Sequence, residues 1–310
     1  MNVLVTGGAG YIGSVLVGFL LDKGIDVTVV DNLMYGQKSL LHYFADPGLT
    51  FVRGDVRDER LMKELVPGKD FILPLAAIVG APACDRAPGS STSINIYSIK
   101  LIDRLRGVGQ AVIFPTTNSG YGTTKGETFC TEDTELAPIS LYGRNKVEAE
   151  RVLLDSGNAI TLRLATVFGL SPRMRLDLLV NDFTYRALKD GYLVIFEKHF
   201  KRNYLHILDA AGCFVYCIEH FDGMKDEPYN VGLNDANLSK EELALKIKEQ
   251  LPGLYIHFAE VGSDPDKRNY TVSNAKINGK GFYAVHSLDE GIKQLIQGFG
   301  MIDRGDMYNC

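Results

Sequence analysis

The chain has 310 residues, 45% hydrophobic and 23% charged, with a formal net charge of −5 at pH 7. That length buries a full core in one or two domains, and the mix of apolar and charged residues excludes disordered and fibrous classes. A mildly acidic chain lacks the electrostatic footprint of a nucleic-acid groove or a polybasic membrane patch, so the expected partners are small molecules.

At the start, Met1-Asn2-Val3-Leu4-Val5 has no basic flank and is stopped at once by Thr6 and Gly7, which reads as a first strand and not as a signal peptide. The uncharged stretch 71–83 is too short to span a bilayer and contains Pro74 and Pro82. These features place the protein in the cytoplasm. The five cysteines, Cys84, Cys130, Cys213, Cys217 and Cys310, are odd in number and lack the spacings of a zinc site or disulfide framework. Cys213 and Cys217 lie one helical turn apart, but no His or Cys recurs nearby in a ligand pattern, so they read as buried thiols and no metal is expected.

Runs rich in Val, Ile and Leu at 3–5, 27–30, 51–52, 71–73, 112–114 and 160–164 alternate with helix-like segments. Runs apolar at successive positions describe strands buried on both faces, as in a parallel sheet covered by helices. The expected fold is a Rossmann-type, doubly wound α/β sheet over 1–165, a NAD-binding domain. Residues 166–310 are expected to form mainly a smaller, discontinuous substrate domain, with helices near 176–188 and 240–250. A further strand-like run at 202–207 suggests that 200–222 returns to the first domain.

Thr6-Gly7-Gly8-Ala9-Gly10-Tyr11-Ile12-Gly13 follows the first strand and opens a helix. A tight turn, close approach of a phosphate to the backbone and helix–strand packing all require glycine, and the helix start supplies N–H donors for a pyrophosphate. The motif reads as G-x-G-x-x-G from Gly8 or as G-x-x-G-x-x-G from Gly7. Asp31 ends the second strand, where a carboxylate accepts hydrogen bonds from an adenosine ribose and repels a 2′-phosphate, which favours NAD over NADP. Asp55 reads either as an adenine contact or as the N-cap of a helix starting near Asp58.

Oxidising a hydroxyl needs a base for its proton while the carbon gives up hydride, and a tyrosine beside a lysine supplies one because the ammonium lowers the phenol pKa. Tyr-x-x-x-Lys occurs at Tyr121/Lys125 and at Tyr142/Lys146. Residues four apart share a face only on a helix, and only the second pair runs into a helix-forming segment, Val147-Glu148-Ala149-Glu150-Arg151. Thr117, just past the run 112–114, stands at the carboxyl edge where open α/β sheets bind ligands.

These residues together resemble the extended short-chain dehydrogenase/reductase family of sugar-nucleotide epimerases, dehydratases and dehydrogenases. The resemblance rests on Gly7/Gly10/Gly13, Asp31, Leu75-Ala76-Ala77, Thr117, Tyr142/Lys146, Arg202-Asn203-Tyr204-Leu205-His206-Ile207 and Tyr229-Asn230-Val231-Gly232. It implies NAD contacts at Gly7, Gly10, Tyr11, Ile12, Gly13, Asp31, Asn32, Asp55, Val56, Leu75, Ala76, Ala77 and Lys146. It implies Tyr142 as base, Thr117 as partner of the reacting oxygen, and nucleotide-sugar contacts at Asn118, Ser119, Arg175, Asn181, Arg202 and Arg268, the last two on the pyrophosphate.

Several positions depart from the family pattern. Asn118 and Ser119 stand where 4,6-dehydratases carry Asp-Glu, which disfavours dehydration because neither replaces a carboxyl group in acid–base work. Thr166 replaces a usual Asn, and Pro74 a usual His. The stretches Ile78-Val79-Gly80-Ala81-Pro82, Asn118-Ser119-Gly120-Tyr121-Gly122 and Ser171-Pro172-Arg173-Met174-Arg175-Leu176-Asp177-Leu178-Leu179-Val180-Asn181-Asp182 resemble a narrower group, the GDP-D-glycero-α-D-manno-heptose 4-dehydrogenases of capsular heptose synthesis. A 4-epimerase would share the same first step, and a non-catalytic NAD-binding regulator would be expected to have lost the Tyr or Lys. By family analogy, helices around 91–106 and 142–155 form a homodimer face.

Overall fold

A computed structural model describes residues 1–123, 129–260 and 269–302. Seven strands form one all-parallel sheet, in the spatial order Glu227–Val231, Ala159–Leu164, Ala111–Thr117, Phe71–Pro74, Asn2–Thr6, Asp26–Asp31, Leu49–Arg53. Six of them are the six apolar runs. The seventh, Glu227–Val231, escapes a pattern reading because Glu227, Pro228 and Asn230 interrupt it, and its burial comes from pairing with Ala159–Leu164 at the sheet edge.

Successive residues of the first strand enter different cores, which is why none of Val3, Leu4 and Val5 is polar. Val3 and Val5 pack in the cluster that contains helices Tyr11–Asp22 and Ile207–Glu219, while Leu4 packs with helices Glu59–Leu65, Ser98–Leu105 and Leu141–Ser156 on the opposite face. From Asn2–Thr6 the chain winds outward through Asp26–Asp31 to Leu49–Arg53, then returns to Phe71–Pro74 on the other side of the first strand. The crevice at this reversal, outside the carboxyl ends of the strands, is where such sheets take ligands.

The run at 202–207 is the strand Lys201–His206, but it joins a separate three-stranded sheet between Thr166–Phe168 and Asn237–Ser239. Only the helix after it, Ile207–Glu219, comes back to pack on Tyr11–Asp22. The helix expected at 176–188 starts at Leu179, because residues 169–177 are drawn to the first helix by side-chain bonds described below. The helix expected at 240–250 is Lys240–Gln250, opened by a capping box of Ser239 and Glu242.

Candidate active site

A cleft of about 690 Å³ runs along the carboxyl edge of the sheet. At one end lies the glycine turn. Gly7 has φ +69° and sits so close under the segment after Phe71–Pro74 that a Cβ would stand 2.6 Å from Ala76 N, and a Cβ on Gly13 would stand 2.6 Å from Gly7 O. The turn therefore packs helix, strand and crevice floor together without side chains. Helix Tyr11–Asp22 begins at Gly10 with no side-chain cap, and Gly7, Gly10, Tyr11, Ile12 and Gly13 all line the cleft. Its positive end and exposed N–H groups suit a diphosphate.

Asp31 also faces the cleft. Its carboxylate accepts from Ala9 N (3.0 Å), Leu33 N (2.8 Å) and Gln37 Nε2 (3.2 Å). Burial raises its pKa above the ordinary carboxylate value, opposed by the bonds from Leu33 and Ala9. Of the two readings of Asp55, capping is excluded: Asp58 caps Glu59–Leu65, whereas Asp55 holds Arg57 and lines the cleft with Asn32, Val56 and Leu75-Ala76-Ala77.

Thr117, Tyr142 and Lys146 meet in the same cleft. Thr117 ends the strand Ala111–Thr117, and its Oγ1 accepts from Ser119 N at 3.1 Å and bonds Ser119 Oγ at 2.9 Å. Ser140 starts the helix Leu141–Ser156 by accepting from Gly143 N, which sets Tyr142 and Lys146 on one face a turn apart. Lys146 is 4% exposed, with Nζ donating to Pro115 O at 3.0 Å and lying 4.4 Å from the centre of the Phe114 ring. The rival Tyr121 does not line the cleft. It is 2% exposed, with its hydroxyl 2.7 Å from Asn230 Oδ1 and accepting from Arg163 Nη1, and its partner Lys125 lies outside the described residues.

Burial pushes the Lys146 ammonium down to about 7 from its ordinary value. A folded value below the unfolded one means that the unfolded chain binds more protons between about pH 7 and 10, so this group makes stability rise with pH across that window. Lys146→Met removes the linkage. The difference in thermal midpoint, variant minus wild type, should become less positive as pH rises from about 7 to about 10; a difference that does not vary with pH would rule out a desolvated amine.

On the substrate side, Ser119, Arg175 and Arg202 line the cleft, but Asn118 and Asn181 do not. Asn181 Oδ1 accepts from Gly169 N, and Nδ2 donates to Tyr11 Oη and Arg175 O, so its amide is consumed in holding residues 169–175. Asn118 is 1% exposed and its amide is buried, outside the cleft lining. Neither is placed in the cleft lining where the substrate contacts were expected, and Arg268 falls outside the described residues. Arg175 is closed on Asp177 through Nε (3.1 Å) and Nη2 (2.6 Å).

Sequence reasoning missed Arg173, Asp177, Lys240 and Tyr270, which also line the cleft. The clustered charges of Arg173, Arg175 and Asp177 were the available signal for the first two. Nothing in the sequence marks Lys240, the first residue of a helix, as buried with Nζ donating to Phe196 O. Among the described residues no three His, Cys, Asp or Glu side chains converge on a metal position, and Cys84, Cys130, Cys213 and Cys217 are buried free thiols. No described helix is long and apolar enough to cross a membrane.

Residues 3–232 match the model of the NAD dependent epimerase/dehydratase family. The chain belongs to this family. NAD is its cofactor, and the bare glycine turn, the uncapped helix start and Asp31 fit a dinucleotide. The chain is 30% identical to the low-salt glycan biosynthesis protein Agl12 of Haloferax volcanii, over 96% of this chain and 97% of that one. It is 27% identical to UDP-glucuronic acid decarboxylase 1 of Arabidopsis thaliana, over 96% of this chain and 70% of the relative. The UDP-glucose 4-epimerase of Thermotoga maritima superposes with a TM-score of 0.84 at 26% identity, covering 97% of this chain and 99% of that one. The dTDP-glucose 4,6-dehydratase DesIV of Streptomyces venezuelae, solved with NAD, gives 0.85 at 25% identity, with 97% of each chain covered.

Proposed function

We propose that this protein oxidises C4 of a nucleotide-activated sugar, with GDP-D-glycero-α-D-manno-heptose as substrate and its 4-keto sugar as product. The observation that carries the reading is the convergence of Thr117, Tyr142 and Lys146 in a cleft with the glycine turn at one end and Arg175, Arg202 and Lys240 along the rest. Bound NAD supplies the hydride acceptor. Tyr142 takes the hydroxyl proton, Thr117 orients the oxygen that loses it, and the Lys146 ammonium favours the phenolate by its charge. Arg202, with Arg268 by resemblance, binds the diphosphate, where a guanidinium fork matches phosphate oxygens. Ser119 and Arg175 contact the sugar.

Dehydration is disfavoured because the two residues after Thr117 are an amide and a hydroxyl, which cannot replace two carboxyl groups in acid–base work. The likeness to the Thermotoga epimerase supports a second reading, a 4-epimerase, which begins with the same oxidation and returns the hydride to the other face. Helices Ser98–Leu105 and Leu141–Ser156 lie side by side and are the proposed homodimer face.

The test follows nicotinamide reduction and sugar-nucleotide mass together, with NAD and the heptose substrate. Loss of two hydrogens matched by NADH is expected. An isomer of unchanged mass would make the protein an epimerase, loss of water would overturn the argument from Asn118 and Ser119, and no turnover would reject the heptose.

A further inference from the structure

After the strand Thr166–Phe168, the chain crosses to the first helix and is tied there. Tyr11 Oη donates to Gly169 O at 2.7 Å, while Ser171 Oγ donates to Tyr11 O at 2.8 Å and meets Ser14 Oγ at 3.0 Å. Asn181, on the helix Leu179–Lys189, holds the same stretch from the other side: its Oδ1 accepts from Gly169 N at 3.1 Å and its Nδ2 donates to Arg175 O at 2.9 Å. The backbone is therefore fixed at both ends of 169–175, and Arg175 stands in the wall of the cleft that also holds Tyr142.

The Arg175 side chain is fixed too. Asp177 takes its Nε and Nη2 as a fork, and the residue is 8% exposed. Burial works against the guanidinium charge, but Asp177, and after it Tyr142 and Tyr11, favour that charge, and the net effect raises the Arg175 pKa. Two cations thus serve one phenol, Lys146 from a turn further along the helix and Arg175 from the crossing segment. They differ in kind. Burial, opposed by Cys84, brings the Lys146 ammonium down to about 7, so its charge fades as pH rises through neutrality, whereas a guanidinium stays charged at any working pH.

We propose that Arg175 is a positioning residue for Tyr142, a permanent cation that favours the phenolate when Lys146 is neutral. Asp177 moderates it, because the carboxylate offsets part of the guanidinium charge. Removing one partner or the other should therefore move the phenol in opposite directions. The remaining charged groups on the cleft walls are Asp85 on Ala81–Arg86, Asp182 on Leu179–Lys189, Arg173 on the crossing segment, Arg202 and Lys240 beyond it, and Asp31 and Asp55 near the glycine turn. All of them are kept in the variants below, so their field is common to every comparison.

The inference rests on the reading of Tyr142 as base, but its test follows the phenol itself. NAD-loaded wild type, Arg175→Gln, Arg175→Lys and Asp177→Asn are titrated by ultraviolet difference absorbance, each against the same protein carrying Tyr142→Phe, so that the other tyrosines cancel. Arg175→Gln should raise the pH at which Tyr142 ionises by about one unit, Arg175→Lys should recover most of that shift, and Asp177→Asn should lower the ionisation pH. No movement in Arg175→Gln, or a shift of the same sign in Arg175→Gln and Asp177→Asn, would overturn the link and reduce Arg175 to a support for the cleft wall. The acid limb of kcat, at saturating sugar nucleotide, should move with the phenol. A phenol that shifts while this limb stays put would leave the link standing and reject Tyr142 as the base.

Discussion

Tyr142→Phe should lower kcat with the sugar nucleotide by about 10²–10⁴-fold while NAD binding stays close to wild type. The ring packs against the core cluster beneath the catalytic helix, and phenylalanine keeps that packing. What disappears is the oxygen proposed to take the proton, so the loss is expected on the chemical step and not on KM. Tyr121→Phe is the matching control. Its hydroxyl bonds Asn230, Thr131 and Arg163 behind the cleft, so this variant should lose stability with little effect on kcat. The opposite pattern, kcat held in Tyr142→Phe and lost in Tyr121→Phe, would move the base to the other Tyr-x-x-x-Lys pair.

The largest stability effect is expected at Arg163. Its guanidinium meets Glu150 through Nη2 at 2.7 Å and Nε at 3.1 Å, both side chains being buried, and Nη1 reaches Tyr121 Oη and the Glu132 carbonyl. Glu150 also accepts from Thr116 Oγ1 at 2.9 Å. Arg163→Met strands a buried carboxylate and should cost about 3–5 kcal/mol, seen as a fall in thermal midpoint of roughly 5–10 °C. A second change, Glu150→Leu, should restore much of it, since apolar replacements of both partners avoid the uncompensated charge. If the double variant is as unstable as the sum of two single losses, the pair is not coupled as the geometry requires.

This pair also bears on catalysis. Tyr142, Lys146 and Glu150 are spaced four apart along one helix stripe, and Glu150 bonds the residue just before Thr117. The Arg163–Glu150 contact therefore fixes the helix that carries the proposed base against the ends of two strands, and Arg163→Met should lower kcat as well as stability.

Much of this was legible in the chain itself. Successive apolar residues at 3–5, 71–73 and 112–114 suit strands covered on both faces, and glycine at 7 and 13 was demanded by backbones too close for a Cβ. Helix periodicity separated Tyr142/Lys146 from Tyr121/Lys125, because local order decides whether residues four apart share a face. These are short-range facts, and a linear sequence carries them.

What the sequence could not carry depends on partners distant along the chain. Asn181 looked like a cleft residue but is spent on Gly169, Tyr11 and Arg175, and the strand at 201–206 could be recognised as a strand without revealing which sheet it joins. Arg173 and Lys240 resemble surface charges until the tertiary fold removes water from around them. Periodicity and turn chemistry determined the elements and singled out Tyr142 and Lys146 as the candidate pair; only the packing of far segments decided which polar side chains face the cleft and which are consumed in building it.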